Sequence, residues 1–123
     1  MRVFLVDDAR SIRARIRVSV EEIGAEVVGE ARTEEEAVTG VGATHPDVVV
    51  IDLRLAKGTG MNVLKSVKSQ CPGIVAIVLT NHRQEEYQKP CLQAGADYFL
   101  EKTRQYADFE MLLRQMQDKL FTH

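Results

Sequence analysis

The four consecutive residues Val48–Ile51 are all apolar, with no alternation of apolar and polar positions. A strand with one face in water alternates, whereas a strand covered on both faces is apolar throughout. The stretch Ile74–Leu79 has the same character. Such strands are typical of parallel sheets that carry helices on both faces, so these two runs favour an α/β fold.

Short β-rich runs alternate with segments of helical spacing along the whole chain. The predicted strands are Arg2–Val6, Glu26–Ala31, Val48–Ile51, Ile74–Thr80 and Tyr98–Glu101. Five βα units in 123 residues predict one domain over residues 1–123, a doubly wound α/β fold with a five-stranded parallel sheet. Right-handed crossovers then leave few topologies.

Apolar spacing and capping signals predict the helices. Residues recur every three or four positions in three segments: Ile12, Ile16, Val20 and Ile23; Val63, Leu64 and Val67; Phe109, Leu112, Leu113, Met116 and Leu120. Gly24 is a stop signal for the first helix. Thr33 and Glu36 form a capping-box pattern that opens another helix, which Gly40 and Gly42 weaken.

Pro90 makes the fourth helix the least regular of the predicted elements. It falls inside the segment Glu85–Ala94, and a proline in a helix interior breaks or kinks the helix. Either the helix begins near Gln88, with Pro90 in its first turn, or it bends at Pro90. We expect a short or bent helix.

Composition and charge argue against several classes of protein. Sixteen Lys and Arg against eighteen Asp and Glu leave a net charge of -2, which disfavours a nucleic-acid binder that relies on bulk charge. No apolar stretch approaches the roughly 18 residues of a membrane span, and Asp7 and Asp8 follow a run too short for a signal peptide. We expect a cytoplasmic protein with no membrane insertion, in which Cys71 and Cys91 are reduced thiols.

Polar residues follow the predicted strands at the edge where open parallel sheets bind their ligands. Asp7 and Asp8 follow the first strand, and Asp52 follows the third. The fourth strand ends in Thr80, and the fifth leads into Lys102. Each residue alone is typical of a loop, a helix cap or a solvated surface. Their shared position at the strand ends favours a common site.

The chemistry of these residues indicates a phosphoryl site. Clustered carboxylates repel one another unless a cation neutralises them, and oxygen-only ligands favour Mg²⁺. Lys102 supplies a mobile positive charge, and Thr80 supplies a hydroxyl that could bind a phosphoryl oxygen. The set predicts a site that holds a phosphoryl group, with one carboxylate as the nucleophile.

The sequence resembles the receiver domain of bacterial two-component response regulators, including the stand-alone chemotaxis type. Four ordered blocks over nearly the whole chain carry the resemblance: Phe4–Asp8, Val50–Leu55, Val78–Asn81 and Gly95–Lys102. The resemblance implies a flavodoxin-like fold with strand order 2-1-3-4-5. It also implies a domain that accepts a phosphoryl group and assists its own phosphorylation and dephosphorylation, without being an enzyme in the ordinary sense.

The resemblance assigns the acidic residues. Asp52 corresponds to the phosphoacceptor. Asp7 and Asp8 correspond to the acidic pair that holds Mg²⁺, with Asp8 the more direct ligand. Asp52 itself and the backbone carbonyl of Arg54 would complete the protein ligands.

The resemblance also assigns the switch and the partners. Thr80 corresponds to the switch hydroxyl, Lys102 to the lysine that meets the phosphate, and Phe99 to the switch aromatic. The implied phosphoryl donor is a histidine kinase or a histidine phosphotransfer protein. The implied output is a changed surface near the last two helices that binds a downstream protein target, with no direct contact to nucleic acid.

Three positions depart from the family pattern. Ala56 stands where members commonly have proline, so we expect the loop Lys57–Gly60 to be less constrained. Thr103 stands where many members have proline after the lysine. Phe99 replaces a tyrosine and has no hydroxyl to donate.

Two alternatives stay open on the sequence alone. A receiver fold could act as a scaffold or interaction module without phosphorylation, which Mg²⁺-dependent binding of the phosphoryl mimic beryllofluoride would test. Arg10, Arg13 and Arg17 share one stripe of the first helix. This stripe is either a solvated face or a docking surface for an acidic kinase or phosphotransfer helix.

Overall fold

The computed structural model describes residues 1–121, and the side chains of residues 1–119. Strands and helices alternate within this part of the chain. The strands are β1 (Arg2–Val6), β2 (Glu26–Ala31), β3 (Val48–Ile51), β4 (Val75–Thr80) and β5 (Tyr98–Glu101), and the helices are α1 (Arg10–Glu22), α2 (Glu34–Thr44), α3 (Gly60–Gln70), α4 (Gln84–Gln93) and α5 (Tyr106–Phe121). All neighbouring strands are parallel, in the order β2-β1-β3-β4-β5, which confirms the predicted fold class.

The central strands are buried on both faces, as their apolar composition predicts. Successive side chains of a strand point to opposite faces of the sheet. Val48 and Val50 pack in the core cluster that α1 and α5 cover, whereas Val49 and Ile51 pack in the cluster that α2, α3 and α4 cover. Strand β3 therefore packs against both cores, one on each face of the sheet, and this packing positions the end of the strand.

The last predicted stripe lies on α5. Phe109, Leu113 and Met116 are buried in the α1/α5 core, and Leu112 packs against it half-buried. The side chain of Leu120 lies outside the described part.

Two glycines that weaken local secondary structure make room for Phe4. A Cβ atom at Gly29 or at Gly40 would collide with the Phe4 ring, which is 2% exposed. The strand pairing shifts register between Val3 and Phe4, at the point where Phe4 faces Gly29. Gly40 thus costs α2 some intrinsic stability and allows the helix to pack closely on the sheet.

The fourth helix begins at Gln84, so a start near Gln88 is wrong. Pro90 lies in the interior of α4, where it cannot donate a hydrogen bond to the carbonyl of Glu86. With ten residues, α4 is the shortest helix in the described chain. No described helix has the length and apolar character needed to span a membrane.

Candidate functional site

Four polar side chains from four strand ends meet at the carboxyl edge of the sheet. The Thr80 hydroxyl donates to Oδ1 of Asp52 at 2.6 Å. The Lys102 ammonium donates to Oδ2 of Asp52 at 2.9 Å and to Oδ2 of Asp7 at 2.7 Å. Residues up to 95 positions apart in sequence thus form one connected cluster.

The third acid, Asp8, lies at the same place. Carboxylate oxygens of Asp7, Asp8 and Asp52 all lie within 4.8 Å of one another. Asp7 and Asp52 are buried, at 3% and 8% exposure, whereas Asp8 is exposed to solvent. Three oxygen donors with one open side fit a hard cation such as Mg²⁺, which keeps several water ligands.

Backbone hydrogen bonds fix the two buried acids. The N–H of Asp52 donates to the carbonyl of Val6 at 2.8 Å, which ties the end of β3 to the end of β1. The N–H of Ala9 donates to Oδ1 of Asp7 at 2.9 Å, and the Arg13 guanidinium donates to the Asp7 backbone carbonyl at 2.7 Å. These hydrogen bonds therefore hold both acids at the ends of the two central strands β1 and β3.

The charges in the cluster are strongly coupled. Burial raises the pKa of Asp7 above its ordinary value, because the hydrogen bonds from Lys102 and the Ala9 N–H offset the desolvation only in part. Burial alone would lower the pKa of Lys102, but the hydrogen bonds and charges of Asp7 and Asp52 outweigh it and raise that pKa. The Lys102 ammonium therefore stays protonated at neutral pH between two carboxylates.

A small pocket opens above Asp52. It has a volume of about 170 Å³ and is lined by Asp52, Arg54, Asn81, His82 and Lys102. The Arg54 backbone N–H is 3.5 Å from Oδ1 of Asp52, and the Arg54 side chain is exposed. The role of the Arg54 carbonyl as a metal ligand stays a prediction.

Phe99 lies outside this cluster. It pairs with Val78 across β4 and β5 and packs, half-buried, against the core under α2, α3 and α4. It lies on β5, three residues before Lys102, which directly follows that strand. Its role as a switch stays a prediction.

The loop after β3 is tied to the start of α2 by hydrogen bonds. The Ala56 N–H, which a proline would lack, donates to the Arg32 carbonyl at 3.0 Å. The N–H of Glu34 donates to the Lys57 carbonyl at 3.0 Å, and the Glu34 carboxylate accepts from the Thr59 N–H at 3.1 Å. The segment at the start of α2 therefore holds the loop through three hydrogen bonds, and its constraint relative to a proline-bearing loop stays a prediction.

Two arginines of the α1 stripe are engaged within the chain. Arg13 and Arg17 both pair with the Glu30 carboxylate on β2, at 2.9 Å and 2.5 Å. Burial would raise the pKa of Glu30, but the two arginines outweigh it and lower that pKa. Arg10 is exposed. Two of the three arginines in the stripe therefore form an intramolecular ion-pair network with Glu30.

Sequence reasoning missed two contacts at or next to the site residues. The His82 N–H donates to the Thr80 hydroxyl oxygen at 3.1 Å, and Asn81 hydrogen bonds with Thr103. The sequence offers one signal for these residues, which is that Asn81 directly follows Thr80 and Thr103 directly follows Lys102. Adjacency alone could not show that the two loops meet.

Solved structures share this architecture. A CheY-like response regulator receiver domain from Methanospirillum hungatei superposes with a TM-score of 0.86 at 24% identity, covering 96% of this chain and 94% of that one. A two-component response regulator of the LuxR family from Aurantimonas sp. gives a TM-score of 0.80 at 26% identity, covering 93% and 85%. The first likeness establishes the fold alone.

Sequence relatives extend this likeness. The DNA-binding transcriptional activator DevR/DosR of Mycobacterium tuberculosis is 36% identical over 106 residues, covering 83% of this chain and 48% of that protein. The response regulator UvrY of Escherichia coli is 35% identical over 101 residues, covering 81% and 46%. The chain thus spans about half the length of these curated relatives.

The family model of the response regulator receiver domain matches residues 3–114. The chain belongs to the receiver domain family of response regulators, the signalling modules of two-component systems.

Proposed function

We propose that this protein is a phosphoacceptor switch in which Asp52 receives a phosphoryl group from a phosphohistidine. The donor is a histidine kinase or a histidine phosphotransfer protein, and residues 1–123 act as one receiver unit. One observation carries the proposal. Each carboxylate oxygen of Asp52 has its own donor, the Thr80 hydroxyl on Oδ1 and the Lys102 ammonium on Oδ2, beside two further acids.

In the proposed transfer, a carboxylate oxygen of Asp52 forms a bond to phosphorus as the P–N bond to the donor histidine breaks. The imidazole leaves with the electron pair of that bond. Thr80 and Lys102, already within hydrogen-bond distance of Asp52, then turn to the new phosphoryl oxygens. Such a reaction depends mainly on positioning and charge neutralisation, which this set supplies.

Asp7, Asp8, Asp52 and the Arg54 backbone carbonyl are the groups that would hold Mg²⁺, with Asp8 the more direct ligand. Bound Mg²⁺ supplies positive charge to the phosphoryl oxygens. The oxygen-only donor set and the exposed position of Asp8 support this assignment. Lys102, which pairs with Oδ2 of Asp52 and Oδ2 of Asp7, supplies the second positive charge.

The output follows from the links of Thr80 and Lys102 to their loops. When the Thr80 hydroxyl turns to the phosphoryl group, its contact with the His82 N–H changes and pulls on the start of α4. Lys102 pulls on the segment that carries Phe99, which turns inward. The surface around α4 and α5 then binds a downstream protein target. The phosphoryl group thereby shifts the population between two states through its different contacts in each.

The first test removes the nucleophile. Asp52→Asn should lose all labelling by a phosphohistidine donor and by phosphoramidate, which carries the same P–N bond. Asp118→Asn makes the same chemical change at an exposed position on α5 and should label normally. Normal labelling of Asp52→Asn would overturn the assignment.

A second measurement separates this function from a phosphorylation-independent scaffold. Beryllofluoride should bind in the presence of Mg²⁺, and binding should vanish when a chelator removes the metal. Asp8→Asn should weaken Mg²⁺ binding more than Asp118→Asn does. A chain that binds no beryllofluoride under these conditions would favour the scaffold.

A further inference from the structure

The two loops that carry Thr80 and Lys102 are joined by a reciprocal contact. The Asn81 side-chain amide donates to the Thr103 hydroxyl oxygen at 2.7 Å. The Thr103 backbone N–H donates in return to the Asn81 side-chain oxygen at 3.0 Å. Asn81 directly follows Thr80, and Thr103 directly follows Lys102.

The backbone adds a third hydrogen bond to this contact. Regular pairing of β4 with β5 ends where Thr80 faces Glu101. The Lys102 N–H then donates to the Thr80 carbonyl at 3.0 Å, beyond the last paired residues. Residues 80–81 and 102–103, at and just beyond the ends of the two strands, are thus joined by three hydrogen bonds.

We propose that Asn81 and Thr103 are positioning residues that hold the Thr80 hydroxyl and the Lys102 ammonium on Asp52 as a single unit. The inference rests on the proposed phosphoacceptor function and deepens it. Thr80 and Lys102 contact opposite oxygens of the Asp52 carboxylate, so a phosphoryl group on Asp52 must meet both at once. Two loops locked side by side keep the hydroxyl and the ammonium at a fixed separation.

The lysine needs this support more than the threonine. Thr80 is fully buried at the end of a strand, whereas Lys102 reaches Asp52 through a long side chain from a turn. Many receivers have proline after the lysine, which restrains the backbone there, but this chain has Thr103. The Asn81 contact restrains the same backbone through its bond to the Thr103 N–H.

The test measures beryllofluoride affinity in the presence of Mg²⁺ by calorimetry, and Mg²⁺ affinity alone. Asn81→Ala should weaken beryllofluoride binding about tenfold, and Thr103→Val about threefold, as expected for losing one or two hydrogen bonds. Thr103→Ser keeps the hydroxyl and should stay within about twofold of the unchanged chain. Mg²⁺ affinity alone should change less than beryllofluoride affinity in every variant, because neither residue touches the three acids directly.

The double variant decides whether the two residues act together. Because Asn81 also lines the pocket, its own effect has two sources. If the pair acts as a unit, adding Thr103→Val to Asn81→Ala should weaken binding no further. Additive losses, or Thr103→Val binding like the unchanged chain, would overturn the inference. Failure of the unchanged chain to bind beryllofluoride would instead overturn the proposed function beneath it.

Discussion

Helices α3 and α4 each follow a strand that ends at the site, yet the two are held very differently. The helix α3 follows Asp52 and buries Gly60, Val63, Leu64 and Val67. The helix α4 follows Thr80. The structure describes every residue of α4, and Cys91 is the one that is buried. The apolar area that anchors α4 to the sheet is therefore much smaller.

The first turn of α4 is also less stabilised than the first turn of α3. The Thr59 side chain caps α3 by accepting from the Asn62 N–H at 3.2 Å. No side chain among the described residues caps α4, which starts after Arg83 in a left-handed conformation with φ of 44°. A non-glycine residue in that region costs about 1 kcal/mol or more.

This contrast assigns different mechanical roles to the two ends of the site. In the proposed function, the Asp52 carboxylate must stay beside its acids, and a capped, well-buried helix follows it. In the same proposal, the Thr80 hydroxyl must move, and a weakly anchored helix follows it. Segments with few buried contacts open at the lowest cost in free energy, so α4 is the element that a shift of Thr80 can displace.

The largest expected effect compares one substitution in both helices. Leu64→Ala empties a site that is 0% exposed and should lower the free energy of unfolding by about 3 kcal/mol. Leu92→Ala alters a side chain that is 45% exposed and should change the free energy of unfolding by no more than about 0.5 kcal/mol. Urea unfolding of both variants measures the difference. Similar losses would mean that α4 is anchored as firmly as α3.

The sheet could be predicted because its signal is local. Val48–Ile51 is apolar throughout, so its burial and its parallel partners follow from composition. The predicted bounds of four strands match the structure, and the fourth begins one residue later than predicted, at Val75. The site was predictable for a related reason, since the carboxyl ends of parallel strands meet at one edge.

Contacts between loops could not be predicted, because they depend on three-dimensional proximity. Nothing in the sequence indicates that Glu34 caps the Thr59 N–H, or that Asn81 meets Thr103. Ala56 was interpreted from what a proline would restrain, whereas its N–H forms a hydrogen bond that a proline could not make. Side-chain partners from other elements therefore decide how rigid each loop is.

The second effect uses the two cysteines as reporters of α3 and α4. Cys71 caps the end of α3 and is partly exposed, whereas Cys91 is buried in α4. Burial raises the pKa of the Cys91 thiol from 9.0 to about 11. At pH 8 this lowers the thiolate fraction of Cys91 by about 100-fold relative to an ordinary thiol. Because Cys91 is also buried, a thiol reagent should label it much more slowly than the partly exposed Cys71. The Cys91 rate should rise with pH up to about 11.

The route of Cys91 labelling tests whether α4 opens on its own. Leu113→Ala removes a buried side chain on the opposite face of the sheet and should populate the unfolded state about 100-fold more. If α4 opens locally, this change should leave the labelling rate of Cys91 unaltered in a Cys71→Ser background. A matching 100-fold acceleration would show that Cys91 is reached only by global unfolding, and would remove the contrast between the helices.

The smallest effect restores the hydrogen bond that α4 lacks. Pro90→Ala supplies an N–H for the Glu86 carbonyl and should raise the free energy of unfolding by about 2 kcal/mol. A proline in a helix interior costs about 3 kcal/mol, but it also lowers the conformational entropy of the unfolded chain, which offsets part of that cost. Lys89→Ala, at the adjacent exposed position, should change stability by no more than about 0.5 kcal/mol. The same variant should slow local opening at Cys91, because α4 would then be held by a continuous hydrogen-bond ladder. A Pro90→Ala chain that is no more stable than the unchanged one would place the weakness of α4 in its shallow burial and its uncapped first turn, and not in the proline.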